Sequence, residues 1–460
     1  MKRKIFYCMF AVTFFTTVRG SEFQVNNRTS QSQANAAIAA RHNGGFIVAW
    51  SSYYGTSGRS NDIFCRIFEP NCSPAGDEFQ INQITTGNQT KPSIAVSPSD
   101  QFIVTWQGPG TVEEEGDDIF AQWMDANALP LGDELQINNI NVKGDQVCPK
   151  IAMNDSGAFV VVWESDSSGA DPNTTMICCR RYNADGIPIG DEFQVNTEPD
   201  SKYPNVAIDP NDNFTIVWMD GKNQNYTIKA RLYDSHGISL TEPFAVSTIN
   251  INSFSQPAIV MGDAGCFLIT WDGDTKLASQ DDVHARLYEP NGVPKGEQFV
   301  VNATLEKAQQ NPQAAINEAG QFVIVWDSEG DPNVNQKDIF GQRFNTNGER
   351  IGDEFRLNSY TDSDQKCPAV AIIKDGRFIT VWQSQNQDGS NYGIYGESGN
   401  IIAAADFNLD GYINFPDYSI MASEWYKEEP SDIINLCEDN TIDEFDVYAF
   451  CKSWLSPSLE

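Results

Sequence analysis

The segment Phe159-Val-Val-Val-Trp163 decides the fold of this chain, because its pattern returns at six other places along the sequence. Each copy starts with Phe, continues with three mostly β-branched or apolar residues and ends with Trp. The copies are Phe46–Trp50, Phe102–Trp106, Phe159–Trp163, Phe214–Trp218, Phe267–Trp271, Phe322–Trp326 and Phe378–Trp382. By subtraction of their positions, successive tryptophans lie 53 to 57 residues apart. A repeat with so constant a period indicates an array of one structural unit.

Three further segments accompany each copy and complete the repeating unit. A strand opened by proline, such as Pro149-Lys-Ile-Ala152, precedes the Phe, and a strand such as Asp118-Ile-Phe-Ala-Gln122 follows the Trp after a variable loop. A turn rich in Asn, Gly and Pro leads to a fourth strand, typified by Glu192-Phe-Gln-Val-Asn196. We label these strands A to D. The B strand, Phe159–Trp163, lacks apolar–polar alternation, which is typical of a strand buried on both faces, so the unit predicts a blade stacked on two neighbours.

The two ends of the repeat array indicate a closed ring. A D strand, Glu22–Asn26, comes first, and the last repeat stops after its C strand at Tyr392–Glu397. Seven complete blades exist only if the N-terminal strand joins the last blade, and such closure removes exposed sheet edges. The sequence therefore predicts an all-β, seven-bladed β-propeller over residues 21–398, a linker at 399–404 and a small all-α domain at 405–460.

The first 20 residues have the pattern of a secretory signal peptide. Lys2, Arg3 and Lys4 precede a mostly apolar stretch from Ile5 to Val18, which is too short to span a bilayer. Loss of this segment, with its four cationic residues, takes the formal net charge from −33 to −37. Such a surface repels nucleic acid and anionic membranes. We expect an exported protein, secreted or at the cell surface, with no membrane span.

Nine cysteines remain once the signal peptide is removed, and none of them belongs to a CxxC pair. An odd number in an exported protein leaves at least one thiol free or intermolecular. Adjacent Cys178 and Cys179 are expected to be ordinary strand residues. A disulfide between Cys437 and Cys451 would stabilise the C-terminal segment, but the sequence does not determine their separation.

The long, variable segments of the repeat emerge on one face of a propeller. Because successive strands alternate in direction, the B–C loops and D–A connectors share that face, and the short A–B and C–D turns share the other. Binding sites on repeat arrays are usually built from such variable segments. Acidic and aromatic residues there favour a sugar-binding or metal-assisted surface, against the simpler interpretation of solvated acidic loops. The candidates are Tyr53, Tyr54, Glu113–Glu115, Asp166, Tyr226, Asp272, Asp274, Asp327, Glu329, Asp388 and Tyr392.

No histidine-based active site is expected. His42 falls in an A–B turn, His236 in a C–D turn and His284 in a C strand, so the three are predicted to lie apart. The Ser-x-Asp-x-Gly-x-Thr-Trp box of sialidase propellers is absent. Carboxylates are abundant, so a glycosidase that uses two of them stays open. The sequence itself marks no catalytic residue and no residue that binds an organic cofactor.

The repeats resemble those of large bacterial surface and calcium-associated exoproteins. The resemblance rests on segments such as Gly190-Asp-Glu-Phe-Gln-Val-Asn196 and Val161-Val-Trp163, and it covers residues 21–398. It implies fold and export, and it carries no defined activity.

Composition changes after Asn400, and a calcium loop follows. The segment from Asp406 to Asp417 places oxygen side chains at positions 1, 3, 5, 9 and 12 of a twelve-residue loop, with Gly411 at position 6 for the sharp turn. This is the EF-hand pattern, except that aspartate replaces the usual glutamate at position 12. The predicted calcium ligands are Asp406, Asn408, Asp410, the Tyr412 carbonyl, Asn414 and Asp417.

A second copy of this loop and its following helix ends the chain. Trp454 lies eight residues after the twelfth position of this copy, as Trp425 does in the first. Cys437 at position 3 and Asn440 in place of glycine at position 6 predict a weaker calcium site. Its predicted ligands are Asn435, Asp439, Thr441, Asp443 and Asp446. Paired loop–helix units of this kind resemble a dockerin, which implies calcium-dependent docking onto a cohesin domain in a polysaccharide-degrading assembly.

Three functional hypotheses follow. The leading one is a secreted, non-catalytic binding or scaffold protein with carbohydrate on the loop face, attached by the dockerin-like segment to a cohesin-type partner in extracellular polysaccharide utilisation. The alternative is a polysaccharide-active enzyme, a lyase or a glycoside hydrolase, with its site on the B–C/D–A face. The third is a structural cell-surface protein that calcium holds rigid. Release of products from polysaccharides separates the first two.

Overall fold

The computed structural model shows a seven-bladed β-propeller, as the repeat predicts. It describes residues 22–54, 60–110, 116–139, 144–166, 175–222, 225–248, 251, 255–274, 281–304, 307–329, 336–401 and 418–420. The propeller is one compact unit, Ser21–Ile401. Each blade is a four-stranded antiparallel sheet whose strands follow chain order, except in the last blade, where the first strand of the chain is added.

Strand A of each blade lies at the propeller axis and strand D at the rim. The first strand, β1 (Phe23–Gln24), is the D strand of blade 7. Blade 1 consists of β2 (Gln33–Ala40), β3 (Phe46–Tyr54), β4 (Ser60–Phe68) and β5 (Phe79–Gln80). Blade 2 consists of β6 (Thr90–Val96), β7 (Phe102–Pro109), β8 (Asp117–Met124) and β9 (Leu135–Gln136). Blade 3 consists of β10 (Gln146–Met153), β11 (Phe159–Ser165), β12 (Met176–Tyr182) and β13 (Phe193–Gln194). Blade 4 consists of β14 (Ser201–Ile208), β15 (Phe214–Lys222), β16 (Asn225–Tyr233) and β17 (Phe244–Ala245). Blade 5 consists of β18 (Ala258–Met261), β19 (Phe267–Asp274), β20 (Asp281–Tyr288) and β21 (Phe299–Val300). Blade 6 consists of β22 (Gln309–Ile316), β23 (Phe322–Glu329), β24 (Lys337–Phe344) and β25 (Arg350–Arg356). Blade 7 consists of β26 (Gln365–Ile372), β27 (Arg377–Gln385), β28 (Tyr392–Asn400) and β1.

In blades 1 to 5 the B strand is buried between two apolar clusters. In β11 all residues are buried, and they alternate between the two sides. Phe159, Val161 and Trp163 pack with residues of blade 2, whereas Val160 and Val162 pack with residues of blade 4. Neither face of the strand meets water, which explains why its sequence does not alternate between apolar and polar residues. The seven tryptophans of the B strands are at most 1% exposed.

The N-terminal strand closes the ring, as the chain ends predict. Phe23 pairs with Gly396, and the Val25 backbone N–H donates to the Ile394 carbonyl over 2.8 Å. The Glu22 carboxylate also accepts bonds from the backbone N–H and the hydroxyl of Ser359 in blade 6, each over 2.7 Å. The last blade is therefore completed and joined to its neighbour by residues from the start of the propeller.

One polar contact recurs at the rim of every blade. A side chain at the end of each D strand accepts a hydrogen bond from a backbone N–H of the adjacent C strand, over 2.6 to 3.0 Å. These side chains are Asn26, Asn82, Asn138, Asn196, Ser247, Asn302 and Asn358. The contact extends the pairing of a D strand that has only two paired residues in most blades. It accounts for the asparagine of the Glu-Phe-Gln-Val-Asn segments.

The first residue of the same segments, glutamate in five blades and Gln298 in blade 5, joins neighbouring blades. In six blades its side chain accepts a bond, over 2.6 to 2.8 Å, from the backbone N–H that follows the asparagine position of the preceding blade. The acceptors are Glu22, Glu78, Glu134, Glu192, Gln298 and Glu354. This conserved spacing within the repeat therefore has a structural role.

Several predictions fall on residues that the structure does not describe. These are the signal peptide, the calcium loops at 406–417 and 435–446, and the Cys437–Cys451 pair. Residues 418–420 are helical. The seven cysteines in the described part of the chain are free thiols, and Cys178 and Cys179 are strand residues in β12, as expected. No helix in that part is long and apolar enough to cross a membrane.

Candidate functional site: the mouth of the axial cavity

The A strands surround a cavity of about 410 Å³ on the propeller axis. A cavity of this size accommodates a small ligand or part of a larger one. Each A strand begins where a D–A connector ends, so the first residues of these strands form the mouth of the cavity on the B–C/D–A face. The face on which the sequence predicts a site therefore has a concave centre.

Six of the A strands carry a β-bulge at this mouth. In β10, for example, the pairing with β11 shifts between Val147 and Lys150. At each bulge a residue other than glycine has φ between 53 and 56°, a left-handed conformation that costs about 1–2 kcal/mol. These residues are Asn35, Lys91, Cys148, Tyr203, Asn311 and Cys367. A bulge bends its strand and redirects side chains, and all six residues line the cavity.

Two rings of side chains make up half of the residues that line the cavity. The upper ring, at the mouth, consists of Asn35, Lys91, Cys148, Tyr203, Gln256, Asn311 and Cys367. The lower ring, two residues further along each A strand, consists of Ala37, Ser93, Lys150, Asn205, Ala258, Gln313 and Ala369. Each blade thus contributes one side chain to each ring.

The charge of the cavity wall is opposite in sign to the net charge of the chain. The sequence contains 63 acidic and 30 basic residues. The described residues of the wall nevertheless include Lys91 and Lys150 and no carboxylate. These two lysines come from neighbouring blades 2 and 3. The wall is therefore cationic at the centre of an acidic protein, an arrangement that favours an anionic ligand.

Lys91 and Cys148 meet at the mouth. The Lys91 ammonium donates to the Cys148 sulfur over 2.9 Å. Burial, reinforced by the charge of Glu164, raises the pKa of Cys148 to about 12, so the sulfur is a neutral thiol near pH 7. The contact therefore orients Lys91 without cancelling its charge.

The two lysines of the wall differ in their protonation. Burial acts to lower the pKa of Lys91, but its contacts with Cys148 and Glu164 outweigh burial and raise that pKa above its usual value. Burial lowers the pKa of Lys150, and the nearby charge of Lys91 lowers it further, although Cys148 acts in the opposite direction. Lys91 is therefore held as a cation, whereas Lys150 loses its proton more easily than an ordinary lysine.

The residue that follows the B-strand Trp holds the bulge of the next blade in three places. The Cys148 N–H donates to the Gln107 side-chain oxygen over 3.0 Å, and the Tyr203 N–H donates to Glu164 over 2.8 Å. The Cys367 N–H donates to Asp327 over 3.0 Å. The side chains of Gln107, Glu164 and Asp327 thus hold the backbone at these three positions of the upper ring. The side chains of Cys148, Tyr203 and Cys367 are not needed to hold it.

Three residues predicted as loop contacts are wrong in that role. Tyr226, Asp272 and Asp327 lie in strands β16, β19 and β23 and are at most 8% exposed. Asp327 pairs with the Lys337 ammonium over 2.6 Å, and Asp272 accepts from the Ser255 hydroxyl over 2.8 Å. The B and C strands extend beyond the segments that the sequence pattern marked, and this extension buries the residues.

The other predicted contacts that the structure describes do not line the cavity. Asp388 accepts from Gln24 over 3.2 Å, and the Tyr392 ring carries the Lys366 ammonium 4.4 Å from its centroid. Tyr53, Asp166, Asp274 and Glu329 lie at or next to the ends of B strands. Glu113–Glu115 and the side chain of Tyr54 lie outside the described residues.

The histidines lie apart, as predicted. His42 is in the turn between β2 and β3, and His236 is in the turn between β16 and β17. His284 is buried in β20, and its ring stacks on Trp271 with 5.8 Å between centroids.

Sequence reasoning missed the wall residues Lys91, Cys148, Lys150 and Tyr203. A signal for three of them was present, because the residue before the A-strand proline changes from repeat to repeat while the proline recurs. When one position of an otherwise regular repeat varies in residue type, the side chain at that position is typically not required for folding.

Comparisons with known proteins identify the fold only. No protein-family model matches the chain, and no curated protein matches it. Among solved structures it is similar to a protein of unknown function from Dyadobacter fermentans, with a TM-score of 0.51 and 10% identity over 83% of this chain and 97% of that chain. It is also similar to polysaccharide lyase Uly1, with a TM-score of 0.51 and 11% identity over 85% of this chain and 94% of that chain. Puromycin hydrolase matches with a TM-score of 0.51 and 10% identity over 81% of this chain and 54% of that chain.

Proposed function

We propose that this protein is a polysaccharide-active enzyme that takes an anionic polysaccharide at the mouth of its axial cavity. One observation carries the proposal: the described cavity wall holds Lys91 and Lys150 and no carboxylate, in a chain with 63 acidic residues. The likeness in fold to a polysaccharide lyase, across most of both chains, supports an enzyme over a non-catalytic scaffold.

The electrostatics of the molecule make the cavity selective. An acidic surface repels a polyanion at most points, so only a local cationic site holds one, and the low-dielectric walls of a cavity strengthen that attraction. Side-chain amides in the same wall offer donors and acceptors to sugar hydroxyls. They belong to Asn35, Asn205, Gln256, Asn311 and Gln313.

Binding to a charged sugar chain and its uncharged counterpart tests the proposal. Polygalacturonate and its methyl ester differ in charge, so we expect the mature chain to bind the first and to bind the ester at least tenfold more weakly. Lys91→Gln removes a charge-assisted bond of about 1.5–3 kcal/mol, so affinity for polygalacturonate is expected to fall about 10- to 100-fold. Calorimetry measures both effects, and the binding should weaken as salt is added.

Lys295→Gln is the matched control. Lys295 is exposed on the C–D turn of blade 5, on the opposite face, so the same change of charge there should leave affinity unaltered. Equal binding of the acid and the ester, or no binding of any polyanion, contradicts the proposal. Binding without release of products supports the scaffold hypothesis instead.

We also propose that residues 405–460 attach the enzyme to a cohesin-type partner through calcium. The proposal rests on the sequence of the first loop, Asp406–Asp417, and on the resemblance to dockerins. The full mature chain is expected to take up calcium, and replacement of Asp406 and Asp410 by alanine should abolish that uptake while leaving the unfolding of the propeller unchanged. Calorimetry decides, and no uptake at millimolar calcium by the unaltered chain contradicts the proposal.

A further inference from the structure

Lys91 and Lys150 form an unequal pair in one wall of the cavity. Lys91 is in the upper ring and is the more exposed of the two, and it contacts the Cys148 sulfur at 2.9 Å. Lys150 is in the lower ring, half-buried, on the same strand as Cys148 and two residues beyond it. An anion that enters the mouth therefore meets the exposed lysine first and the half-buried lysine below it.

We infer that this pair cleaves a uronate-containing polysaccharide by β-elimination, with Lys91 holding the carboxylate and Lys150 removing the proton next to it. The inference rests on the proposed function and names its chemistry. When neighbouring groups are pushed toward opposite protonation states, one serves as the charged stabiliser and the other as the base. Lys91 remains a cation and Lys150 is the amine that is more easily neutral.

The elimination balances without water or an oxidant. The neutral Lys150 amine takes the proton from C5 of the uronate, whose carboxylate is held by Lys91. The electron pair of that C–H bond forms the C4=C5 double bond, and the C4–O bond breaks with its electron pair on oxygen. The oxygen stays on C1 of the neighbouring sugar and takes a proton, which leaves a new reducing end on one fragment and an unsaturated uronate on the other.

Tyr203 is placed to supply the proton to the leaving oxygen. It occupies the upper ring next to Cys148, and its backbone is held by Glu164. Burial raises the pKa of the Tyr203 phenol, with Glu164 acting in the same direction. The phenol is therefore protonated near neutral pH and serves as an acid rather than as a base.

Hydrolysis does not suit the described wall. Glycosidases use two carboxyl groups about 5 to 10 Å apart, and the described residues of the wall contain none. Glu164, a carboxylate whose charge acts on Lys91, is 6% exposed and accepts the Tyr203 backbone N–H over 2.8 Å. It belongs to the framework of the bulge.

The test uses the mature full chain with polygalacturonate and follows two products at once. Elimination generates a conjugated double bond, which absorbs ultraviolet light, together with one reducing end per cleavage, whereas hydrolysis generates reducing ends alone. Lys150→Met is expected to lower turnover about 10²- to 10⁴-fold and to leave the affinity for polygalacturonate within a few-fold. Tyr203→Phe should lower turnover less, because water can protonate the leaving oxygen.

Two further variants keep the test decisive if Lys150→Met folds poorly. Lys150→Arg keeps a long cationic side chain that cannot act as a base near neutral pH, so it should fold, bind and fail to turn over. Lys150→Ala should regain part of its turnover when methylamine is added, which a merely structural lysine does not explain. Lys295→Met on the opposite face should match the unaltered chain.

The pH profile gives a third readout. The titratable groups that face Lys150 are Cys148 on its own strand and Lys91 on β6; Glu164 and Tyr203 act on Lys91. Turnover should rise with pH as Lys150 loses its proton, at a pH below the usual lysine range, and fall again when Lys91 loses its own. The rising limb should vanish in methylamine-rescued Lys150→Ala or move to the pKa of the added amine.

The outcomes separate the inference from the proposed function. Reducing ends without ultraviolet absorbance, or full turnover by Lys150→Met, overturn the inference while anion binding still supports the proposed function. Binding with no products overturns the inference and the enzyme assignment. No binding of polygalacturonate or other polyuronates overturns both.

Discussion

The rim and the axis of this propeller use the same repeat in opposite ways. At the rim, a side chain at the end of every D strand makes one contact to the neighbouring C strand, and in six blades that side chain is asparagine. At the axis, six blades share one left-handed bulge conformation but present four kinds of side chain: Asn, Lys, Cys and Tyr. Where the side chain itself has a structural role, the same residue thus recurs in the repeat. Where only the backbone conformation recurs, the side chains vary and are available to contact a ligand.

The physical reason for this difference is which atoms make the structural hydrogen bonds in each region. At the rim the side chain itself bonds the backbone, so only a residue with a side-chain acceptor in reach, Asn in six blades and Ser247 in blade 4, keeps the contact. At three bulges of the axis the N–H is bonded by a residue of the preceding blade: Gln107 for Cys148, Glu164 for Tyr203 and Asp327 for Cys367. The side chains of Cys148 and Tyr203 are then not needed to hold the backbone of their own bulges.

Removal of the closing strand should have the largest effect on stability. A chain that starts at Arg28 lacks Val25 and Asn26, which are 0% and 2% exposed, and leaves the Ile394 N–H and the Arg66 side chain without their acceptors. We expect the free energy of unfolding to fall by about 5 kcal/mol or more. Denaturant unfolding measures it against a chain that starts at Ser21. Equal stability of the two chains contradicts closure.

The second prediction sets Asp272 of blade 5 against Asp327 of blade 6, which occupy the same position after the Trp. Burial raises the pKa of Asp272 to about 7, although its bond from Ser255 acts in the opposite direction. An unfolded Asp titrates near pH 4. The stability that Asp272 contributes is therefore fully present below about pH 4 and is lost as the pH rises through about 7.

Asp272→Asn is expected to raise the free energy of unfolding at pH 8 by about 2–4 kcal/mol and to leave it unchanged at pH 4. Asp327→Asn should do the reverse at pH 8, with a loss of about 3 kcal/mol, because it leaves the Lys337 ammonium, now 2.6 Å from the carboxylate, without its partner. Thermal unfolding at the two pH values checks both signs. A loss of stability at pH 8 in Asp272→Asn would show that this carboxylate has a cation beside it.

The third prediction separates rim from axis directly. Asn138→Ala removes the acceptor of the Ile119 N–H and the donor to Asp118, both buried, and should cost about 2 kcal/mol of stability. Lys91→Gln at the axis should change stability by less than about 0.5 kcal/mol and should weaken binding of polygalacturonate. Denaturant unfolding measures the stability of both variants, and calorimetry measures their binding of polygalacturonate. The prediction is contradicted if either variant changes both stability and binding.

The smallest effect is expected at the indole partners of the B-strand tryptophans. Gln146 accepts from the Trp163 indole N–H over 3.0 Å, whereas Ser201 stands at the corresponding position in blade 4. Gln146→Ser should therefore cost about 1 kcal/mol. Gln256→Ser, at the exposed mouth, is the control and should be neutral. A loss well above 1 kcal/mol would show that Gln146 supports more than the indole.

Much of the architecture was available from local patterns. The Phe-to-Trp segments predicted buried B strands, and the position of Glu22–Asn26 predicted the closing strand, because burial on two faces and strand pairing leave regular traces in sequence. The face on which the candidate cavity opens was also the one that the alternating direction of the strands favoured for binding. Three of the residues predicted for that face, Tyr226, Asp272 and Asp327, were mistaken, because they belong to strands that run beyond the recognisable pattern.

The sequence by itself determined the number of blades, their four strands, the order of closure and the net negative charge of the protein. Each of these depends on residues that are close in the chain or on a sum over all residues. Only the tertiary structure decided that Lys91, Cys148, Lys150 and Tyr203 share one cavity wall without a described carboxylate. Their meeting depends on a closed ring that brings the A strands of separate blades around one axis, and no local pattern records that distance.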